Sequence, residues 1–405
     1  MNIEERIARR RRPNNGPLLV QDYSALSPTV HLRDPDGRGS ILEQLLDHLE
    51  PALNDDLPTN CYVWGSKGTG KSALLTALFS ELRRASRETN AGIHTSTRVA
   101  DDGMTDFAYV DARETRSEFG LLHAVLDALL EEHVPKQGIG RERLGELLND
   151  RFFETGRRAV VAVDHLEEPE TYSSTVVESF LELSESVSWI TVGRTPPEEH
   201  DTETETMVHL PVYQRHVLVD ILTSRVSQGL ARHAISHEQL RRIAGWAEGD
   251  AHDALAVLLG AAVLASETDE RTIEPETVTT AMEAVPRPNT AVGRVLTLQA
   301  NRQRVLRKLF DLDTTEKSIG ETAKAISRDE SLGLSTATIT RYLYELAEVG
   351  VLERVQAKRT TELGRPPSRV EPRFPTLVFR QLFDAYGVDQ DFHRTVQRSS
   401  RERPS

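Results

Sequence analysis

Residues 65–72 read Gly65-Ser66-Lys67-Gly68-Thr69-Gly70-Lys71-Ser72, and this segment is the strongest indication of the fold. It matches the pattern G-x-x-x-x-G-K-[ST], whose glycines allow successive backbone N–H groups to converge on phosphate oxygens. The apolar run Cys61 to Trp64 predicts a strand before the loop, and Ser72 to Leu82 predict a helix after it. Because a phosphate loop requires this strand–loop–helix context, the sequence predicts that residues 65–72 and Ala73 bind a nucleotide.

Two residues of this loop and one aspartate predict the chemistry of the site. Lys71 is expected to contact the β- and γ-phosphates, and the Ser72 hydroxyl is expected to hold Mg²⁺. Ala159 to Val163 predict a buried strand that delivers Asp164 beside Ser72. Asp164 is therefore predicted to orient the Mg²⁺ ion or its water.

Apolar strands alternate with helices around the loop. The predicted strands are short and continuously apolar, at Cys61 to Trp64, Phe107 to Val110, Ala159 to Val163, Trp189 to Val192 and Met207 to Leu210. The predicted helices lie at Ile41 to Leu53, Ser72 to Leu82, Glu118 to Leu130, Leu144 to Thr155 and Val176 to Leu183. Such alternation is typical of a parallel sheet with helices on both faces.

The pattern becomes purely helical after Tyr213. Four further helices are predicted, at Val217 to Val226, Glu238 to Ala247, Ala251 to Ala265 and Pro275 to Ala284. Pro286 and Pro288 then predict a break and a domain boundary. The chain is expected to have a basic, flexible tail at residues 1–25, an α/β nucleotide-binding domain at residues 26–211 and a helical domain at residues 212–285.

The charge of the chain is uneven. The 405 residues include 49 Lys+Arg and 63 Asp+Glu, a net charge of −14. Residues 286–405 have 21 basic and 15 acidic residues, a net of +6, which leaves −20 for residues 1–285. A basic module on an acidic body favours a polyanion as the partner of that module. Only seven of the basic residues are lysines, which fits either a halophilic, salt-rich cytosol or a GC-rich coding bias.

Other features of the composition concern location. The single cysteine, Cys61, lies in an apolar run, so a buried structural thiol is expected rather than a disulfide or a thiolate metal cluster. Residues 1–15 are charged and have no apolar signal region. The longest apolar run, Ala254 to Ala265, is too short to span a bilayer. We therefore expect a cytoplasmic protein with no membrane partner.

The C-terminal module, residues 286–390, predicts a winged helix-turn-helix. Helices are predicted at Arg302 to Leu312, Ile319 to Ser327 and Thr336 to Val349, with Ser335 as the N-cap of the last and Ile339, Leu343, Leu346 and Val349 as its core. Leu352 to Val355 and Gly364 to Val370 then predict a basic β-hairpin, before a flexible tail at residues 391–405. The third helix of this class enters the major groove of double-stranded DNA. The candidate DNA contacts are Thr336, Thr338, Arg341, Lys358, Arg359, Arg365 and Arg369. A winged helix that contacts proteins is the alternative.

With these motifs the sequence resembles the archaeal origin-recognition initiators, AAA+ ATPases related to the eukaryotic origin-recognition and cell-division-control loaders. The resemblance rests on Leu26-Ser27-Pro28 through Leu32-Arg33, the helix that runs to Pro51, Asn60 to Ser72, Asp164, Ile221-Leu222 with Arg225, Gly249-Asp250-Ala251 and the C-terminal module. It implies an α/β P-loop AAA+ domain, an all-helical lid and a winged helix-turn-helix domain. It also implies that Val30, Leu32 and Arg33 lie near the adenine.

Three positions that act on the transition state depart from the family pattern. His165 follows Asp164 where the family has a glutamate that polarises the attacking water. Thr195 is nearest to an asparagine that senses the γ-phosphate, and His252 replaces a phosphate-contacting arginine of the lid. Because stabilisation of developing charge is usually the largest catalytic term, we expect ATP or ADP binding with very slow hydrolysis. Compensation by His165 or Arg194 would instead leave an active ATPase, so the sequence does not decide whether the chain is an enzyme.

Three functions fit these features. The first is replication-origin recognition and initiation, switched by ATP or ADP, with double-stranded DNA as the partner and a replicative helicase or initiator paralogues as further partners. The second is a transcriptional or plasmid-maintenance regulator that retains the nucleotide as a structural ligand. The third is an active AAA+ ATPase loader. Origin recognition is favoured because the N-terminal segment, the lid and the winged domain resemble the family in one order.

Overall fold

Two compact units make up the chain, one formed by residues 31–217 and the other by residues 1–30 and 218–405. The computed structural model describes residues 18–32, 35–54, 56–93, 105–115, 117–129, 140, 143–147, 157–166, 168, 177, 186–199, 204, 206–312, 317–356 and 368–386. Among the helices in these ranges, none combines the length and the apolar character that crossing a membrane requires.

The unit of residues 31–217 is built on a five-stranded parallel sheet. The strands are β1 (Cys61–Trp64), β2 (Thr105–Asp111), β3 (Arg158–Asp164), β4 (Val187–Gly193) and β5 (Thr206–His209). Their order in the sheet is β2-β3-β4-β1-β5, and each neighbouring pair is parallel. The predicted parallel sheet is confirmed, and each predicted strand is present, with β2, β3 and β4 longer than the apolar runs that predicted them and β5 displaced by one residue.

Helices pack on both faces of this sheet. Successive side chains of a strand point to opposite faces, so Val160 and Ala162 of β3 join one core cluster and Val161 and Val163 join the other. Two helices contribute to the first cluster, α1 (Gly39–Leu53) and α2 (Lys71–Ile93). Helix α3 (Glu118–Leu129) contributes to the second. The sheet is thus buried between two apolar layers, which explains its continuous apolar strands.

Two predicted helices of this unit fall largely outside the described residues. Of the predicted helix Leu144 to Thr155, residues 144–147 are helical, and residues 148–155 lie outside the described residues. In the predicted helix Val176 to Leu183, only Val177 is described, and it is helical. Helix α2 is longer than predicted, because the amphipathic pattern used for the prediction ends at Leu82 whereas the helical backbone continues to Ile93.

Four helices follow β5 in the chain, and they match the predicted helical domain within a few residues. They are α4 (Arg215–Gly229), α5 (His237–Trp246), α6 (Ala251–Glu267) and α7 (Pro275–Glu283). The side chains of Ser236 and Asp250 cap the N-termini of α5 and α6. Helix α6 is buried on most of its circumference, as its long apolar run predicts.

The N-terminal segment packs against α4. Leu19 and Val20 are buried, Val20 pairs with Leu230, and a short helix follows at Tyr23–Leu26. The buried Arg225 donates hydrogen bonds to the carbonyl oxygens of Ala25, at 3.0 Å, and Val30, at 2.6 Å. The predicted flexible tail therefore does not extend to residue 25, while residues 1–17, with their arginine run, lie outside the described residues.

The rest of the second unit forms the winged helix-turn-helix. Its elements are α8 (Val292–Leu296), α9 (Ala300–Leu309), α10 (Ile319–Ile326), α11 (Thr336–Glu348), β6 (Leu352–Gln356), β7 (Ser368–Pro372) and α12 (Thr376–Tyr386). Ser335 accepts a hydrogen bond from the Thr338 N–H, which confirms the predicted N-cap. Strands β6 and β7 pair antiparallel, as predicted for the hairpin.

One prediction for this domain is wrong in part, and two of its helices, α8 and α12, have no counterpart among the predictions. Val349 lies beyond the end of α11 and is half-buried rather than part of the core, whereas Ile339, Leu343 and Leu346 are buried. Helix α12 was not predicted, although Val378, Phe379 and Leu382 recur at helical spacing and are buried. Its Phe379 ring packs edge-on against Phe374, with ring centroids 5.4 Å apart.

Candidate functional site

The candidate nucleotide site lies at the carboxyl edge of the parallel sheet. The loop of residues 65–70 connects β1 to α2, and β2 and β3 end nearby at Asp111 and Asp164, which are register partners. Parallel strands bring their carboxyl ends to one edge, where open α/β sheets bind their ligands. The parallel order of the strands therefore places the phosphate loop and the two acidic side chains at the same edge of the sheet.

Two glycines of the loop are required by its geometry. A Cβ atom on Gly65 would lie 2.4 Å from the carbonyl oxygen of Leu210. Gly70 has φ +84°, a left-handed conformation, and a Cβ there would lie 2.2 Å from the Oη atom of Tyr213. The loop therefore packs against the segment after β5 so closely that only glycine fits at both positions.

Arg38 stabilises this loop, and the sequence pattern did not predict that role. Its guanidinium is buried and donates hydrogen bonds to the carbonyl oxygens of Thr69 and Pro211, each at 2.7 Å. It also stacks on the Tyr213 ring, with its Cζ atom 3.7 Å from the ring centroid. Arg38 thus ties the phosphate loop to the segment after β5, and because an isolated arginine before a helix has no special signature, no sequence signal could have found it.

Lys71 lies within the curl of the loop. Its ammonium donates hydrogen bonds to the carbonyl oxygens of Gly65, at 2.5 Å, and Ser66, at 2.9 Å. The side chain is buried, and Lys71 is the first residue of α2, directly after the loop. A helix N-terminus with an ammonium beside it is a favourable place for an anion.

Asp164 is buried beside this loop and fully engaged by neighbouring donors. Tyr109 Oη donates to its Oδ2 atom at 2.6 Å, and the His165 N–H donates to its Oδ1 atom at 2.6 Å. Burial alone raises the pKa of Asp164, but the nearby His165 ring and the hydrogen bonds from Ser72 and Tyr109 lower it below its ordinary value. Asp164 is therefore ionised at neutral pH.

His165 sits among the oxygens of the site. Its backbone is left-handed, with φ +63°. Its Nε2 atom lies 3.3 Å from Ser72 Oγ, 3.6 Å from Asp164 Oδ2 and 4.0 Å from Asp111 Oδ2. Burial and the nearby Arg113 lower the pKa of His165, but Asp164, Asp111 and the hydrogen bond with Glu168 raise it more, so the net shift is upward.

Two further ion pairs complete a charged cluster around His165. Arg113 binds Asp111 with two nitrogens, at 2.9 Å and 2.6 Å, and Arg194 binds the buried Glu168 at 2.5 Å. Burial raises the pKa of Glu168, but the hydrogen bond from His165 and the charges of Arg113 and Arg194 lower it to about 2. We call Asp111, Arg113, Asp164, His165, Glu168 and Arg194 the edge cluster.

The sequence singled out Asp164, His165 and Arg194 of this cluster but not Asp111, Arg113 and Glu168. The signal available for Asp111 was its place directly after a predicted strand, since parallel strands end at one edge. Arg113, Glu168 and Arg194 come together only through the fold.

The side chains near the loop have the ligand atoms that Mg²⁺ prefers, but their arrangement leaves no room for the ion. Ser72 and Asp164 supply hydroxyl and carboxylate oxygens, the ligands that Mg²⁺ prefers. Both oxygens of Asp164 already accept hydrogen bonds, and the His165 Nε2 atom lies 3.3 Å from Ser72 Oγ and 3.6 Å from Asp164 Oδ2. As they are arranged, these residues do not accommodate an octahedral ion between Ser72 and Asp164.

The remaining candidate residues of the nucleotide site are distributed as follows. The carbonyl oxygen of Thr195 accepts a hydrogen bond from Tyr62 Oη at 2.9 Å, and the neighbouring Arg194 is the residue that reaches the edge cluster. Thr69 is buried, Ser66 is exposed, and Lys67, Gly68, Ser72, Ala73 and Leu32 are half-buried. Arg33 lies outside the described residues.

His252 lies in the second unit and binds the start of the winged domain. Its Nε2 atom accepts a hydrogen bond from the Val292 N–H at 3.1 Å, and the neighbouring Asp253 accepts one from Asn289 at 3.0 Å. Val30 belongs to the same unit, where its carbonyl oxygen is held by Arg225. The histidine at the predicted phosphate-contacting position thus connects the lid to the winged domain.

The candidate DNA contacts on α11 are accessible. Thr336 is exposed, Thr338 is half-buried and hydrogen-bonds Ser335, and Arg341 is 65% exposed with its guanidinium 3.5 Å from Glu345. Arg369 on β7 pairs with Glu371, whereas Lys358, Arg359 and Arg365 lie outside the described residues. The described surface therefore presents one arginine and two threonines near the N-terminal half of the recognition helix.

Comparisons with protein families match two parts of the chain. Residues 35–192 match the family model of the AAA ATPase domain, and residues 219–283 match that of the Cdc6 AAA+ ATPase-type lid domain. Curated relatives include ORC1-type DNA replication protein 1 of Methanothermobacter thermautotrophicus, 23% identical over 78% of this chain and 83% of the relative. ORC1-type DNA replication protein 9 of Halobacterium salinarum is 24% identical over 85% of this chain and 93% of the relative.

Solved structures show the same fold. The Aeropyrum pernix ORC1 protein in complex with DNA superposes with a TM-score of 0.60 at 21% identity, over 91% of this chain and 97% of that one. The Aeropyrum pernix ORC2 protein in its ADPNP–ADP complexes gives a TM-score of 0.53 at 15% identity, over 95% of this chain and 100% of that one. Together with the family matches, this likeness shows an AAA+ P-loop domain followed by a helical lid.

Proposed function

Because this chain belongs to the archaeal Orc1/Cdc6-type initiator family, we propose that it recognises double-stranded DNA at replication origins and that bound ATP or ADP switches this binding. The observation that carries the proposal is the combination, in one chain, of a phosphate loop with its lysine in the loop's curl and a winged helix with an exposed recognition helix. Initiator paralogues and a replicative helicase are the further partners that this function requires.

Nucleotide binding is supported by the donors that the loop directs inward. The Lys71 ammonium donates to two loop carbonyl oxygens, and phosphate oxygens, which carry more negative charge, would replace them as acceptors. The N-terminus of the 23-residue helix α2 adds a favourable dipole. Loss of binding in Lys71→Ala, measured with a fluorescent ATP, tests this part of the proposal.

We infer that hydrolysis is very slow. The edge cluster holds Glu168 in an ion pair with Arg194 and presents an imidazole, not a carboxylate, directly after Asp164. His252, at the position of the lid arginine, is hydrogen-bonded to Val292. A phosphate-release assay under multiple turnover should give a rate far below that of an active AAA+ ATPase. Ordinary turnover that Lys71→Ala abolishes would contradict this inference.

DNA recognition is supported by the exposed N-terminal half of α11. Threonine hydroxyls and methyls can read bases, and the arginine can bind guanine or phosphate. The test is an unbiased selection of DNA sites by the full chain with ATP, followed by mapping of the chain on its own genome. Recovery of one motif at replication origins supports origin recognition. Occupancy of promoters alone, without an effect on replication, would favour the regulator instead.

A further inference from the structure

We propose that the His165 imidazole takes the place of the divalent cation, so that the chain binds its nucleotide without Mg²⁺. This rests on the proposed nucleotide binding and adds a statement about how the site is built. Four side chains carry it: Ser72 and Asp164, which would be the cation's ligands, Asp111, and His165, whose Nε2 atom lies within 4.0 Å of an oxygen of each.

The first observation is the location of the ring. Mg²⁺ needs near-ideal octahedral geometry, with oxygens at about 2.0–2.1 Å. The His165 Nε2 atom is 3.3 Å from Ser72 Oγ, 3.6 Å from Asp164 Oδ2 and 4.0 Å from Asp111 Oδ2. A single ring nitrogen thus approaches the three oxygens that would surround an ion. The ring is fixed on its other side, where Nδ1 lies 3.4 Å from Glu168 Oε1.

The second observation is that the carboxylates around this position already have partners. Asp111 receives two nitrogens of Arg113, and Glu168 receives Arg194. Asp164 accepts hydrogen bonds from Tyr109 Oη and from the His165 N–H, both at 2.6 Å. A divalent cation would have to displace these donors and give up its own water, which Mg²⁺ does reluctantly.

The third observation is that the protein offers other groups for the phosphate charge. The Lys71 ammonium lies in the curl of the loop, within 2.9 Å of two loop carbonyl oxygens. Lys71 is also the first residue of α2, and the N-terminus of a helix favours an anion. Binding of the phosphates therefore does not depend on the chemistry that a cation would supply.

The test is a fluorescence titration of the full chain with a ribose-labelled fluorescent ATP, once with Mg²⁺ and once with EDTA. The two dissociation constants of the wild type should agree within about threefold. His165→Ala removes the ring and exposes Ser72 and Asp164 to a cation. This variant should bind at least about tenfold more tightly with Mg²⁺ than with EDTA, a difference of about 1.4 kcal/mol.

His233→Ala is the matched control. His233 is also a histidine with a left-handed backbone, φ +64°, but it is exposed and lies in the second unit. It should behave as the wild type in both buffers. A wild type that loses about tenfold or more of its affinity in EDTA overturns the proposal, as does a folded His165→Ala that stays indifferent to Mg²⁺. The wild-type comparison decides even if His165→Ala fails to fold.

Failure of the proposed function would look different. In that case the wild type would bind the fluorescent ATP in neither buffer, or Lys71→Ala would bind it as tightly as the wild type. Binding that Lys71→Ala abolishes, but that also requires Mg²⁺, would leave the proposed function intact and refute only the role of His165.

Discussion

The geometry of the phosphate loop predicts a large effect of Gly70→Ala. The left-handed backbone of Gly70, φ +84°, costs a residue with a Cβ about 1–2 kcal/mol. The new Cβ would also lie 2.2 Å from Tyr213 Oη, and overpacking of this kind typically costs about 1–3 kcal/mol. We expect the free energy of unfolding of the unit of residues 31–217 to fall by about 2–5 kcal/mol.

Tyr213→Phe separates the two causes. Without Oη, the nearest atom to the new Cβ is the ring carbon Cζ at 3.2 Å, which a shift of a few tenths of an ångström relieves. The backbone strain stays, and the ring that stacks on Arg38 is kept. In a double-mutant cycle, Tyr213→Phe should therefore restore about 1–3 kcal/mol to Gly70→Ala.

Denaturant unfolding of the full chain, followed by tryptophan fluorescence, measures these changes, since Trp64 and Trp189 both lie in this unit. Gly39→Ala is the matched control, because a Cβ there meets no atom within 4 Å and the backbone is not left-handed. It should be neutral or stabilise by up to about 1 kcal/mol. If Gly70→Ala lowers the free energy of unfolding equally in the wild-type and the Tyr213→Phe background, the contact between the new Cβ and Tyr213 Oη is refuted. If Gly70→Ala does not lower it at all, the loop geometry is refuted.

Three further predictions concern other parts of the chain. Burial raises the pKa of Cys61 to about 12, so iodoacetamide at neutral pH should label the thiol only after unfolding, and rapid labelling of the native chain would contradict its burial. The pKa of Glu168 is lowered from 4.5 to about 2, so its ionised form stabilises the fold above about pH 4.5 and this contribution is lost as the pH falls through about 2. Glu168→Gln should therefore be less stable than the wild type at neutral pH in thermal unfolding, with a difference that shrinks below pH 4.5; a constant difference would argue against the ion pair. Arg341→Ala should weaken binding of the selected DNA site by about 1–3 kcal/mol in an anisotropy titration, whereas Arg271→Ala, an exposed arginine of the lid, should not.

The sequence predicted the parts of the site that are contiguous in the chain. Residues 65–72 form a recognisable loop because each loop residue has its own backbone or phosphate role. Asp164 could be predicted because it ends an apolar strand, and the winged domain because its helices are amphipathic. These signals are local, so no knowledge of the tertiary fold was needed.

The remaining features depend on contacts between distant segments. Arg38 supports a loop carbonyl 31 residues away, and Arg194 reaches Glu168 across 26 residues. His252 could be predicted to differ from the family pattern, but its bond to Val292 depends on how the lid meets the winged domain. Helix α12 has no counterpart among the predicted elements although its apolar residues recur at helical spacing, because the helix-turn-helix pattern and its hairpin do not require a further helix.

The proposed switch links nucleotide binding to DNA binding, and it can be measured as the affinity of the full chain for its selected DNA site with and without ATP, for the wild type and for Lys71→Ala. A nucleotide switch predicts that ATP changes the wild-type affinity by about 5- to 150-fold, the usual range of allosteric coupling, and leaves that of Lys71→Ala unchanged. If the wild type binds DNA equally well with and without ATP, under conditions where ATP is bound, nucleotide does not switch DNA binding.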